Sequence, residues 1–187
     1  MASSYDNDVS KEYGQPSGLL SLANVFEKIV LFFAYVFCWA YPILVFAILI
    51  NVVLRYGFSS GLIVFEEIQW HLYAIGMLFG LAYAEITNSQ VKVDVLAANF
   101  KKKTTCLWEI FGVVCLVLPF LFVVIFNSIE YVQGSYAVNE SSNSPLGLPY
   151  RWAIKSVIPL SFVFLLLAVI ARLLRNINLL FNNKREG

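Results

Sequence analysis

Residues 65–86 read FEEIQWHLYAIGMLFGLAYAEI. The stretch is about as long as a helix must be to cross the hydrocarbon of a bilayer. Most of its side chains are apolar, yet it carries Glu66, Glu67, Gln69, His71 and Glu85. Lipid penalises such groups, so a spanning helix that keeps them has another use for them. At 100° per residue, Glu67, His71, Ala74, Leu78, Ala82 and Glu85 fall on one stripe. Glu67 and Glu85 are separated by roughly 27 Å of helix. The carboxylates therefore sit at the two ends of the stripe, with alanines between them that allow close approach of another helix.

The rest of the chain supports a membrane reading. Of its 187 residues, 59% are hydrophobic and 13% charged, with a mean hydropathy of +0.73. Soluble domains carry about 25% charged residues. The net charge of +1 gives no electrostatic case for nucleic acid. Residues 29–54, 62–87, 106–132 and 152–174 are each long and apolar enough to be read as spans. The predicted fold is all-α: an integral membrane protein with four transmembrane helices. Residues 1–28 read as a polar tail with an interfacial lead-in at 19–28, residues 29–175 as the membrane domain, and 176–187 as a second tail.

Lysine and arginine set the predicted orientation. Lys11, Lys28, Lys92, Lys101, Lys102, Lys103, Arg172, Arg175, Lys184 and Arg185 fall on one side, against Arg55, Arg151 and Lys155 on the other. Both termini are thus expected in the cytoplasm. The polar loop 134–149, GSYAVNESSNSPLGLP, is expected to face outward as irregular structure. Its Asn139-Glu140-Ser141 matches a short glycosylation pattern that carries little weight. Pro42, Pro119 and Pro159 lie within spans and are read as fixed kinks.

Matching depths along the spans predicts two ionic contacts. Glu66 or Glu67 is expected to meet Arg151 or Lys155, which are four residues apart near the outer end of the last span. Glu85 and Glu109 are expected to face Arg172 at the other end. A proton or cation path through Glu67, His71 and Glu85 is the competing reading. It meets a gap of about 21 Å between His71 and Glu85, bridged only by the hydroxyls of Tyr73 and Tyr83. Locking of helices to each other or to a partner is preferred.

No metal or cofactor site is expected. Cys38, Cys106 and Cys115 form no metal-binding spacing and are read as small buried hydrophobes, and His71 is the sole histidine. The aromatic residues, including Trp39, Trp70, Trp108 and Trp152, suit interfacial belts. After the second span comes NSQVKVDVLAANFKKK, residues 88–103, which fits the cytoplasmic interface, with lysines reaching anionic headgroups.

The combination of FEEIQW, a span containing GLAYA, then NSQVKVDVL resembles the small membrane subunit, DctQ, of tripartite ATP-independent periplasmic (TRAP) transporters. LPYRWAIKSVIPLSFVFLLL, with Arg151, Trp152, Lys155 and Pro159, is similar to the last span of that family. The resemblance covers residues 29–175. Gln90 and Lys92 stand where the family commonly has histidine and arginine; Gln90 can hydrogen-bond but does not titrate near neutral pH.

The resemblance implies a non-catalytic subunit, without cofactor, in a bacterial inner membrane. It implies a large DctM-like partner that carries an organic acid with sodium by an elevator-type motion. It also implies a periplasmic substrate-binding protein as a transient partner, with the lipid bilayer around both membrane subunits. The small subunit would pack against the fixed scaffold of the large one and enlarge it. Glu66, Glu67, Trp70, His71, Glu85, Gln90, Asp94, Arg151, Trp152 and Lys155 are the residues expected to lock helices or to face a partner. The alternatives are a stand-alone oligomeric channel or small exporter, and a membrane enzyme or quinone-binding subunit, the last disfavoured by a single histidine and no redox motif.

Overall fold

The computed structural model describes residues 18–59, 62–90, 102–144 and 147–182, and every regular element among them is helical. In chain order the elements are α1 (Gly18–Cys38), α2 (Ala40–Gly57), α3 (Ile63–Ile86), α4 (Lys102–Gly112), a π-helical segment (Val113–Val117), α5 (Leu118–Ala137) and α6 (Arg151–Asn182).

Three helical stretches are long and apolar enough to cross a membrane: Gly18–Gly57, Thr104–Ala137 and Arg151–Leu180. The protein is therefore an all-α, multi-span membrane protein. The second expected span, α3, has the length, at 24 residues. It is not among the three because Glu66, Glu67, Gln69, His71 and Glu85 lower its hydropathy.

The prolines act in three different ways. A proline lacks its own N–H and crowds the carbonyl four residues back. Pro42 crowds Cys38, and there the first long helix breaks into α1 and α2 at Trp39, inside the expected first span. The lead-in at 19–28 is thus part of α1 rather than a separate element. Pro119 crowds Cys115, at the centre of the π-helical segment, where the N–H of Leu118 reaches back to the carbonyl of Val113. Pro159 lies within α6 without interrupting it.

α6 is the axis of the packing. It touches α1, α3 and α5 along its length and α4 near one end. α2 packs on α3, so the helices run in a row α2, α3, α6, α5, with α1 seated on α3 and α6. Val30, Phe79, Ala82, Ile86, Phe164 and Ala168 form the larger core, where α1, α3 and α6 meet. Phe37 stacks on Phe79 at 3.7 Å between ring centres, and Phe33 lies 4.6 Å from Phe164. Val113, Leu121 and Val169 form a second core between α6 and the α4–α5 stretch. α2 meets α3 most tightly at Gly76, where a Cβ would stand 2.8 Å from the ring of Tyr41.

Of the three cysteines, only Cys106 is buried. Cys38 and Cys115 are exposed, contrary to their reading as core residues, because each sits on the outer side of its helix.

Candidate functional site

Polar side chains gather at the two ends of the α3 stripe. At the Glu67 end, the segment between α5 and α6 folds back over the helices. Glu67 Oε2 accepts the N–H of Leu148 at 2.6 Å, and Oε1 accepts the hydroxyl of Ser142. The N–H of Ser142 in turn donates to the carbonyl of Leu148 at 3.2 Å. One carboxylate on α3 thereby closes the loop on itself. Gly147 lies inside this closure; a Cβ there would run into Ser142 Cβ and stand 2.8 Å from Glu67 Oε1.

Glu140 closes the loop from the other direction. Its carbonyl accepts the N–H of Arg151 at 2.9 Å, at the start of α6. Its carboxylate takes the ammonium of Lys155 and lies 3.8 Å from the guanidinium of Arg151. The Lys155 ammonium also rests 4.0 Å from the centre of the Tyr131 ring on α5. Hydrogen bonding from Lys155 holds the Glu140 carboxyl below the usual carboxylate range. Beside this pair, Trp152 meets Tyr136 edge to face at 5.5 Å.

The expected direct contact of Glu66 or Glu67 with Arg151 or Lys155 is replaced by these bonds. Lys155 and Arg151 pair with Glu140, Glu67 binds the loop, and Glu66 lies 4.0 Å from Arg55, both exposed. The physical reason is tethering: Glu140 is carried onto the end of α6 by the loop and reaches the cations first. It was the one carboxylate in a loop that the sequence reading treated as irregular. His71, half-buried, lines an open cavity of about 390 Å³ with Glu66, Glu67, Trp70, Ser142 and Arg151. Trp70 is exposed beside it.

At the Glu85 end the expected pairing is present. Arg172 Nη1 donates to Glu85 Oε1 at 2.9 Å, and Nη2 donates to Glu109 Oε1 at 3.2 Å. Asn176 Nδ2 donates to the other oxygen of Glu109 at 3.0 Å, and the thiol of Cys106 to the carbonyl of Asn176 at 3.2 Å. Gln90 donates to Glu85 Oε2. One turn along α6, Arg175 donates to Glu27 and, at 3.2 Å, to Asn24 Oδ1. Helices α1, α3, α4 and α6 are thus joined through two arginines. Glu27, Glu85 and Arg175 are buried.

Sequence reasoning missed Glu27, Asn24, Arg175 and Asn176 in this cluster. Glu27 had a signal: Leu20, Ala23, Glu27, Val30 and Ala34 recur at helical spacing and all are buried. Arg175 was weighed only as a cytoplasmic charge, whereas it spends its guanidinium group on Glu27 inside the bundle. Asp94 lies outside the described residues. Among the described residues, no group of three His, Cys, Asp or Glu is placed to hold a metal ion.

A family model described as the DctQ component of tripartite ATP-independent periplasmic transporters matches residues 44–179. The chain belongs to the DctQ family. No curated protein and no solved structure matches it. DctQ components are non-catalytic accessory membrane subunits of TRAP transporters. The match spans both polar clusters except Asn24 and Glu27, which lie on α1 and precede it. In this DctQ chain, then, α1 adds the buried Glu27 carboxylate and the Asn24 amide to a network whose other members fall within the matched region.

Proposed function

We propose that this DctQ subunit serves a sodium-coupled TRAP importer of an organic acid, packing against the scaffold of a large DctM-like subunit and enlarging it. In this reading α3 is a fourth span, both termini are cytoplasmic, and the membrane is the bacterial inner membrane. The Glu67 end then faces the periplasm, and the Glu85 end the cytoplasm. Residues 1–28 and 176–187 flank the membrane domain in sequence, with α1 reaching into the first from Gly18 and α6 into the second as far as Asn182.

The observation that carries the reading is the use made of charge within the bundle. Arg172, Arg175, Lys155 and Glu67 are engaged by other helices or by the folded-back loop. Groups spent in this way hold a shape; they are not free to bind and release a solute. Glu66, Trp70, His71, Trp152 and Asp94 are assigned to the same supporting role or to partner contact. The segment between α5 and α6, closed by Glu67 and Glu140, offers a fixed surface to the periplasmic substrate-binding protein; Gly134–Ala137, expected as part of this loop, are the last turn of α5.

The test is purification of the tagged chain from native membranes in mild detergent, with partners identified by mass. A stoichiometric multi-span partner, and uptake only by liposomes containing both chains with the binding protein, is the expected result. A homo-oligomer that conducts solute alone would replace this reading with that of a channel.

A further inference from the structure

Along α5, Phe120, Val123, Asn127, Glu130, Gly134 and Ala137 are all exposed. Their spacing alternates three and four, the heptad seam along which two helices pack at a shallow left-handed angle. α5 packs on α6 alone among the long helices, and beyond Phe120, whose ring lies 6.5 Å from that of Phe162 on α6, the seam faces away from it.

The polar groups of the seam are acceptors. Asn127 spends its Nδ2 on the carbonyl of Val123 at 2.7 Å, which leaves Oδ1 outward. Among the described residues Glu130 has no hydrogen bond or ion pair. It immediately precedes Tyr131, whose ring carries Lys155, so it lies at the level of the charged cluster at the Glu67 end. Bilayer hydrocarbon satisfies neither group. It does suit the exposed face of α2, where Val45, Phe46, Leu49 and Val53 are apolar throughout.

The acceptors also select the occupant. In a symmetric dimer within the membrane, Glu130 would face its own copy at the same depth, and like charges would oppose the contact. A helix bearing a lysine or arginine at that depth would complement it. Gly134 and Ala137 have little side chain to hold a neighbouring backbone away.

We infer that the α5 seam is the docking face for a transmembrane helix of the large subunit, and that this helix places a cationic side chain against Glu130. The inference rests on the subunit reading and adds the face and its chemistry.

The test places a photo-cross-linking amino acid at Phe120 or Val123 on the seam, or at Phe46 on α2 as a control, in the full chain co-expressed with its large subunit. Adducts from the seam positions to one transmembrane helix of the large subunit, with few from Phe46, are expected. Glu130→Lys should reduce recovery of the large subunit about tenfold and Glu130→Gln less. The thermal midpoint of the isolated chain should stay unchanged, since Glu130 is exposed. Copurification of the large subunit with cross-links from Phe46 and none from the seam would overturn the docking face while keeping the subunit reading. Adducts to a second copy of this chain, or to lipid alone, would also overturn it. Failure of any large subunit to copurify would overturn both readings.

Discussion

Arg172 and Glu85 stand 2.9 Å apart, on helices whose pairing residues are 87 positions apart in the chain. The same guanidinium holds Glu109 at 3.2 Å, so a single side chain fixes α6 against both α3 and α4. With 17% of the Arg172 side chain and 9% of the Glu85 side chain exposed, water does little to screen the pair. Arg172→Leu would leave the Glu85 carboxylate inside the bundle without the guanidinium that neutralises it. Breaking a buried pair from one side costs about 3–5 kcal/mol, and the lower end suits the residual exposure here. Thermal unfolding in detergent should show this loss. Glu109→Gln should cost clearly less, because Arg172 keeps Glu85. Equal effects of the two substitutions would show that the guanidinium does not bridge.

Glu67 is expected to act on the loop more than on the bundle. Glu67→Ala removes the acceptor for the N–H of Leu148 and for the hydroxyl of Ser142 together. Amide exchange at Leu148 should speed up by more than tenfold, while the α6 core exchanges as before. Gly147→Ala should do the same by forcing Ser142 and Glu67 away from the inserted methyl. Unchanged exchange at Leu148 in both variants would remove Glu67 as the anchor.

Much of this arrangement was legible in residue order. Helical periodicity and apolar length gave the long helices, and depth matching placed Glu85, Glu109 and Arg172 together. Glu140 was not legible, because a loop has no period from which to read where its side chains return. Arg175 and Glu27 were obscured by a different effect. Terminal charges serve as orientation signals, and that use says nothing of whether the helix carrying them runs on into the core, as α1 and α6 do. The polar residues of α3 were the clearest sign of function and also the reason its hydropathy falls below that of the three membrane-length stretches. One set of side chains drove both outcomes.

Acid should loosen the Glu67 end through Glu140. Lys155 holds the Glu140 carboxyl below its usual range, so the folded state favours the ionised form. A depressed folded value contributes stability that is fully present above the unfolded value, about pH 4.3, and is lost as pH falls through the folded value. Thermal midpoints of the wild type and Glu140→Gln should therefore differ most near neutrality and converge in acid. A difference that stays constant down to pH 3 would show that ionisation of Glu140 is not what couples the loop to α6.

The contact of Gly76 with Tyr41 predicts a compensating pair. Gly76→Ala puts a methyl 2.8 Å from the tip of the Tyr41 ring, and α2 has its main packing partner in α3. The ring can swing away, so the cost should be about 1 kcal/mol, at the lower end for overpacking. Tyr41→Val alone should also destabilise, by opening the space beside Phe79 and Gly80. Combined, the two substitutions should cost less than their sum, since the methyl fills room the ring has vacated. Additive losses in thermal unfolding would mean that α2 is held to α3 by other contacts, with the hydrogen bond from Gln69 to the carbonyl of Ala47 at 3.3 Å the first to examine.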